Sequence, residues 1–229
     1  EYRMPRINQT QVRPEIGLTF ANGLRSLVRQ DPDIVMVGEI RDNETAGLAI
    51  NAALTGHLVF STLHTNSAAG AIPRLIDMEQ EPFLIASTVS VIMGQRLVRR
   101  LYPETKKAYK LTKNELETLG KDINLDRMLK ILKDIKTIDS KATWEDIKFY
   151  KPVSSDDSLD GYKDRIGIHE VMQVTEGIRR LITENATSDQ IEEYAKKDGM
   201  ITMLEDGIIA AVLGITSLEE VLRVTVAEL

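Results

Sequence analysis

The sequence predicts an α/β domain built around a parallel strand-helix-strand unit, and three stretches carry that prediction. "DIVMVGE", residues 33 to 39, is a short apolar run rich in β-branched residues and bounded by Pro32 and Gly38, the pattern of a central strand in a parallel sheet, buried on both faces. "NETAGLAINAALTG", residues 43 to 56, is alanine-rich and closes on Gly56, a helix with Asp42 or Asn43 available as its cap. "HLVFSTLH", residues 57 to 64, is a second strand. So short a crossover joins adjacent parallel strands in a right-handed unit. Both strands then end on one rim, which brings Glu39 and His64 to the crevice where open α/β sheets bind ligands.

The other elements follow from the same patterns. "TFANGLRSLVRQ" reads as a helix with Phe20, Leu24, Leu27 and Val28 on one face and Arg25 and Arg29 on another. "SAAGAIPRLIDM" and "EPFLIASTVSVIMGQRLVRRL" read as two more helices. Composition changes at Tyr102-Pro103, and residues 103 to 141 are lysine-rich. There Met128, Leu129, Leu132 and Ile135 recur at helical spacing and Thr112 with Glu115 forms a capping box, so a helical insert is expected. "PVSSDDSLDG" is a polar loop, "YKDRIGIHEVM" a strand pair or hairpin, and the remainder helical, with caps at Ser188 and at Ser217 followed by Glu220. Three blocks result: residues 1 to 101, an insert from 102 to 160, and residues 161 to 229.

Composition narrows the classes. The 35 acidic against 29 basic residues, net charge -6, argue against a chain that coats nucleic acid. The insert lacks interleaved aromatics and reads as a solvated helical face. No run reaches the roughly 18 apolar residues of a membrane span, so any membrane association is peripheral. Cysteine is absent, which excludes disulfides, thiolate catalysis and cysteine-based zinc sites. The first residue is Glu1, and the sequence reads as part of a longer chain.

A glutamate at a strand end is by default a surface residue. Glu39 differs in following an apolar strand and in its neighbours Gly38 and Arg41. A phosphoryl-transfer site needs a carboxylate at this place to hold Mg²⁺, directly or through water, and to orient an attacking water. His57 and His64 stand seven apart, so their side chains leave opposite faces and cannot chelate one metal. "STLHT" offers Ser61, Thr62, His64 and Thr65 as donors toward a terminal phosphate, although a histidine here, taken alone, is more often structural. Arg25, Arg29, Arg41, Arg74 and Arg96 are each surface charge by default, and their bias toward segments adjoining the crevice fits arginines that neutralise phosphate within or between subunits.

Together "RQDPDIVMVGEIRD", "AALTGHLVFSTLHTNSA", "RLIDM", "EPFLIAS", "QRLVRRL", "GYKDRIGIHEVM" and "DGIIAAVLGITSLEEVLRVT" resemble the C-terminal ATPase domain of type II secretion and type IV pilus assembly motors, the GspE/PilB family. The resemblance fails only over residues 103 to 160. It implies a RecA-like P-loop ATPase core, incomplete at its N-terminal side, then the insert and a C-terminal helical subdomain. It also implies ATP and Mg²⁺ as cofactors and a homo-hexamer at the cytoplasmic face of the inner membrane, working with a platform protein and a cytoplasmic adaptor. Glu39 matches the family's Walker B glutamate, and Gly38 agrees with the family where generic P-loop enzymes have Asp. His64 matches the His box as γ-phosphate sensor, with His57 supporting. Arg25, Arg29 and Arg41 match interface-facing positions, and Arg74 and Arg96 remain interface candidates.

Two departures qualify the match. No G-x-x-x-x-G-K-S/T segment occurs, since the one Gly-Lys pair, Gly120-Lys121, precedes Asp122. Glu1-Tyr2 resembles the tail of the family's acidic box, so the main catalytic glutamate and the P-loop are expected upstream, and these residues alone are expected to be inactive. The tetracysteine zinc module of many relatives is replaced by residues with neither Cys nor His, so a metal-free module is expected. Two other functions stay open: a non-catalytic module that binds subunits or platform, and a retraction or DNA-uptake motor. "EPFLIAS" and the insert favour assembly or secretion over retraction.

Overall fold

The structure, a computed structural model, describes residues 4 to 226, so the acidic-box tail read at Glu1-Tyr2 lies outside the described residues. In chain order the elements are α1 (Phe20–Leu27), β1 (Ile34–Val37), α2 (Asn43–Leu54), β2 (Leu58–Ser61), α3 (Ala71–Asp77), α4 (Pro82–Thr88), β3 (Val91–Leu101), β4 (Lys107–Tyr109), α5 (Lys113–Asp122), α6 (Leu125–Asp134), β5 (Phe149–Lys151), β6 (Tyr162–Gln173), α7 (Glu176–Thr183), α8 (Ser188–Lys197), α9 (Met203–Val212) and α10 (Leu218–Thr225). They form two compact units. Residues up to Ile92 with Met172–Asp198 make the first, and Met93–Val171 with the residues from Gly199 onward make the second.

In the first unit β1 and β2 pair in parallel, Ile34 opposite Leu58 and Val37 opposite Ser61, as the sequence predicts. Asp42 starts α2, its carboxylate accepting the Thr45 N–H at 2.7 Å, and Gly56 leaves the helix at φ 101°, a conformation that favours glycine. The expected burial of β1 on both faces is corrected. Val35 and Val37 are buried, whereas Ile34 and Met36 are each 61% exposed, because among the described residues only one face of this two-stranded sheet is covered. Their partners Leu58 and Phe60 are exposed as well. Elsewhere in this unit α4 lies against α2 and α7, and α7 against α8, with Ile85, Ile178, Ile182 and Ile191 fully buried.

The second unit corrects two element predictions. The helix read through residues 81 to 101 stops at Thr88, where Val89 turns extended, and β3 takes over. β-branched Val89, Val91 and Ile92 with Ser90 favour this. Gly94 fits the strand's packing: a Cβ there would sit 2.8 Å from the Glu170 side chain, so glycine leaves room for that side chain on β6. The expected hairpin over residues 162 to 172 is one strand, β6, paired with β3. Backbone bonds from Val174 to Ser90 and from Tyr102 to Gly161, each 2.9 Å, show that the two strands run antiparallel.

The insert carries the predicted helices α5 and α6, with the Thr112–Glu115 capping box in place. It also carries an antiparallel ladder that the sequence did not suggest, β4 on β5. Its core joins Leu119, Met128, Leu132 and Phe149 to Ile208 and Ala211 of α9, while Ile135 lies past the end of α6 and is exposed. Charged side chains fix the neighbours. Arg127 donates to Glu205 at 2.7 Å and to the Met200 carbonyl at 2.6 Å, and Glu170 accepts the first N–H of α9. Ser217 caps α10 as predicted, but the cap of α8 is Thr187, boxed with Gln190, one residue before the predicted Ser188.

Candidate functional site

The rim of the parallel pair is assembled by backbone chemistry. Past the last paired residues, the Ile40 N–H donates to the Thr62 carbonyl at 3.0 Å, and the Thr62 hydroxyl donates to the Gly38 carbonyl at 2.7 Å. These two bonds tie the segment after β1 to the segment after β2. The Glu39 and His64 side chains therefore meet, with His64 Nε2 3.4 Å from Glu39 Oε2, at the outer limit of hydrogen-bond range. Arg41 Nε donates to the same oxygen at 2.6 Å.

The Arg41 bond above all holds the Glu39 carboxyl below the usual carboxylate range; desolvation opposes it, and a weaker contribution from His64 adds to the lowering. At neutral pH this side chain is an anion. That suits the binding of a cation or the orientation of a water better than proton abstraction. Both protein contacts fall on Oε2, and the glutamate side chain is 23% exposed against 81% for His64, so the pair faces solvent at the carboxyl ends of two parallel strands.

The other predicted residues distribute differently. His57 lies at the opposite end of β2, where Nδ1 bonds the Ala52 carbonyl at 2.9 Å and Thr55 Oγ1 at 3.1 Å. It closes the last turn of α2, clear of the rim. Thr62 is at the rim, but its hydroxyl is taken by Gly38. Arg25 forms an ion pair with Glu44 and bonds Asn22, tying α1 to the first turn of α2. Arg29 and Arg74 are exposed in the same unit, and Arg96, on β3, belongs to the other. Sequence reasoning passed over Glu44, whose signal was an acidic residue in the first turn of α2, where the helix dipole favours it.

The profile of the family described as Type II/IV secretion system protein matches residues 1–223. The type II secretion system protein E of Xanthomonas campestris is 45% identical over 98% of this chain, which spans 37% of that protein. The type IV pilus assembly ATPase PilB of Thermus thermophilus is 45% identical over 99% of this chain and 24% of its own length. The chain thus spans about a quarter to two fifths of the curated relatives it matches. Among solved structures, the pilus retraction motor PilT with bound ADP superposes with a TM-score of 0.56 at 26% identity, over 90% of this chain and 43% of that one. The ATPase DotB of Yersinia pseudotuberculosis shares the fold with a TM-score of 0.59 at 18% identity, over 93% and 42%. The fold is the RecA-like α/β fold of these ATPases, and with its profile match and its relatives above 40% identity the chain belongs to the type II/IV secretion system protein family.

Proposed function

We propose that this chain supplies the Walker B and His-box side of an ATP-hydrolysing motor that powers type II secretion or type IV pilus assembly. The observation that supports it is the meeting of Glu39, Arg41 and His64 beyond the carboxyl ends of β1 and β2. Glu39 is the anionic group on the Mg²⁺ and water side, His64 the donor toward the γ-phosphate, and Arg41 the cation that keeps Glu39 ionised. Among the described residues no three His, Asp or Glu side chains converge as a metal cage. A single exposed carboxylate fits Mg²⁺ held mainly by nucleotide phosphates and water. The chemistry such a bound ion supplies is neutralisation of charge on the transferring phosphoryl group.

The phosphate cradle has no counterpart in these residues, so on this reading the chain alone binds and positions but does not turn over ATP. Partnership with further copies in a hexamer, an inner-membrane platform protein and an adaptor belongs to the same proposal. So does work at the cytoplasmic membrane face; no helix among the described residues is long and apolar enough to cross a membrane. Secretion or assembly is favoured over retraction because the curated relatives at 41–45% identity carry those names, against 26% for PilT. In the full-length protein Glu39→Gln is expected to lower ATP turnover by about 100-fold or more, while nucleotide binding, followed by fluorescent-analogue titration, stays within a few-fold. Unchanged turnover would remove the role given to Glu39.

A further inference from the structure

The insert presents two exposed features of opposite charge, both in the second unit. The first is a knob. Leu159 is 86% exposed, more than any other large apolar side chain described, and it follows Asp156 and Asp157, both exposed, while Asp160 beside it pairs with Arg99 at 3.2 Å. Its turn is locked: Ser155 and Ser158 bridge each other at 2.8 and 3.2 Å, and the Ser158 hydroxyl donates to the Tyr162 carbonyl at 2.8 Å. Because the turn is ordered, docking it would cost little further conformational entropy.

The second is a basic-rimmed apolar patch. In the β4–β5 ladder Tyr109 faces Phe149 and Ala108 faces Tyr150. Phe149 is buried in the core, so side-chain alternation turns Ala108 and Tyr150, with Lys110 and Lys148 beyond them, to the outer side. Lys106 lies over the Tyr150 ring at 4.9 Å and donates to the Gly214 carbonyl at 2.8 Å, which brings the α9–α10 turn and the half-exposed Leu213 beside the ring. Lys110 and Lys148 are both exposed, and nearby Asp146 is occupied accepting the Thr143 N–H at 2.9 Å.

We propose that the Leu159 turn of one copy docks on the Tyr150–Leu213 patch of the next, a contact between neighbouring copies made by the insert. An apolar knob flanked by Asp156 and Asp157 matches an apolar floor flanked by Lys110 and Lys148, and both lie on one chain, so the contact is head-to-tail and repeats from copy to copy. The inference does not depend on the ATPase reading.

A cysteine-free chain makes the test direct. Leu159→Cys and Leu213→Cys chains are mixed and mildly oxidised, and the disulfide-linked dimer is measured on a non-reducing gel. A cross-link at least 5-fold above that of a Ser87→Cys and Leu213→Cys mixture is expected. Lys110→Glu with Lys148→Glu on the Leu213→Cys chain should remove the excess, and Asp156→Lys with Asp157→Lys on the Leu159→Cys chain should restore it. Circular dichroism checks that each variant is folded. A yield equal to the Ser87 control, or one indifferent to both charge reversals, overturns the proposal.

Discussion

Glu220 is the most deeply buried charge among the described residues, its side chain 1% exposed. Burial pushes its pKa up, but Arg223 and Arg99, which hold its carboxylate at 2.8–2.9 Å, together with the Arg99 backbone N–H, outweigh this and draw it down to about 2. A carboxyl whose folded pKa lies below its unfolded value stabilises the fold above the unfolded pKa and loses that contribution as pH falls through the folded one. The difference corresponds to about 3 kcal/mol at neutral pH, lost between roughly pH 4.5 and pH 2. Urea unfolding at about pH 6 and pH 2.5 should therefore show Glu220→Gln clearly less stable than wild type at the higher pH, with the gap shrunk to about a quarter at the lower. A constant gap would mean that Glu220 acts through packing instead of charge. At the rim, the Glu39–His64 meeting was legible from sequence because strand alternation and parallel pairing fix where strand ends lie. The partners of Thr62, His57 and Arg25 were not, since they depend on a carbonyl or carboxylate brought close only by the fold.

Elements followed the sequence wherever local rules were unopposed. The Thr112 box and the Ser217 cap rest on contacts three residues apart, and the β1–α2–β2 unit pairs strands joined by a single helix. β3 is the instructive failure: its apolar residues also fit a helical stripe, and its strand form rests on pairing with β6, a segment far away in the chain. The cap of α8 tests the finer reading. The Thr187 hydroxyl accepts the Gln190 N–H and the Thr187 N–H donates to the Gln190 side-chain oxygen at 3.0 Å, whereas Ser188 is the first helical residue. Thr187→Ala should lower stability by about 1 kcal/mol, and Ser188→Ala should change it by less than about half that, both read from urea midpoints. The reverse order would reinstate Ser188.

At the scale of the molecule, patterning predicted the α/β class and the family resemblance implied the RecA-like fold, but neither showed which apolar faces are covered. Ile34, Met36, Leu58 and Phe60 share one open face of the parallel pair, a contiguous apolar surface of the sort that marks an interaction site. The 229-residue chain should bind a hydrophobic dye such as anilinonaphthalene sulfonate while folded, and Met36→Thr with Phe60→Thr should reduce that fluorescence without lowering the melting temperature. A signal that the double substitution leaves unchanged would locate the dye elsewhere. The interleaving of the two units carries a different consequence. The path leaves the first unit after Ile92, returns at Met172 and leaves again after Asp198. No single scission therefore releases either unit free of the other, and a chain truncated anywhere between those crossings would leave neither unit complete.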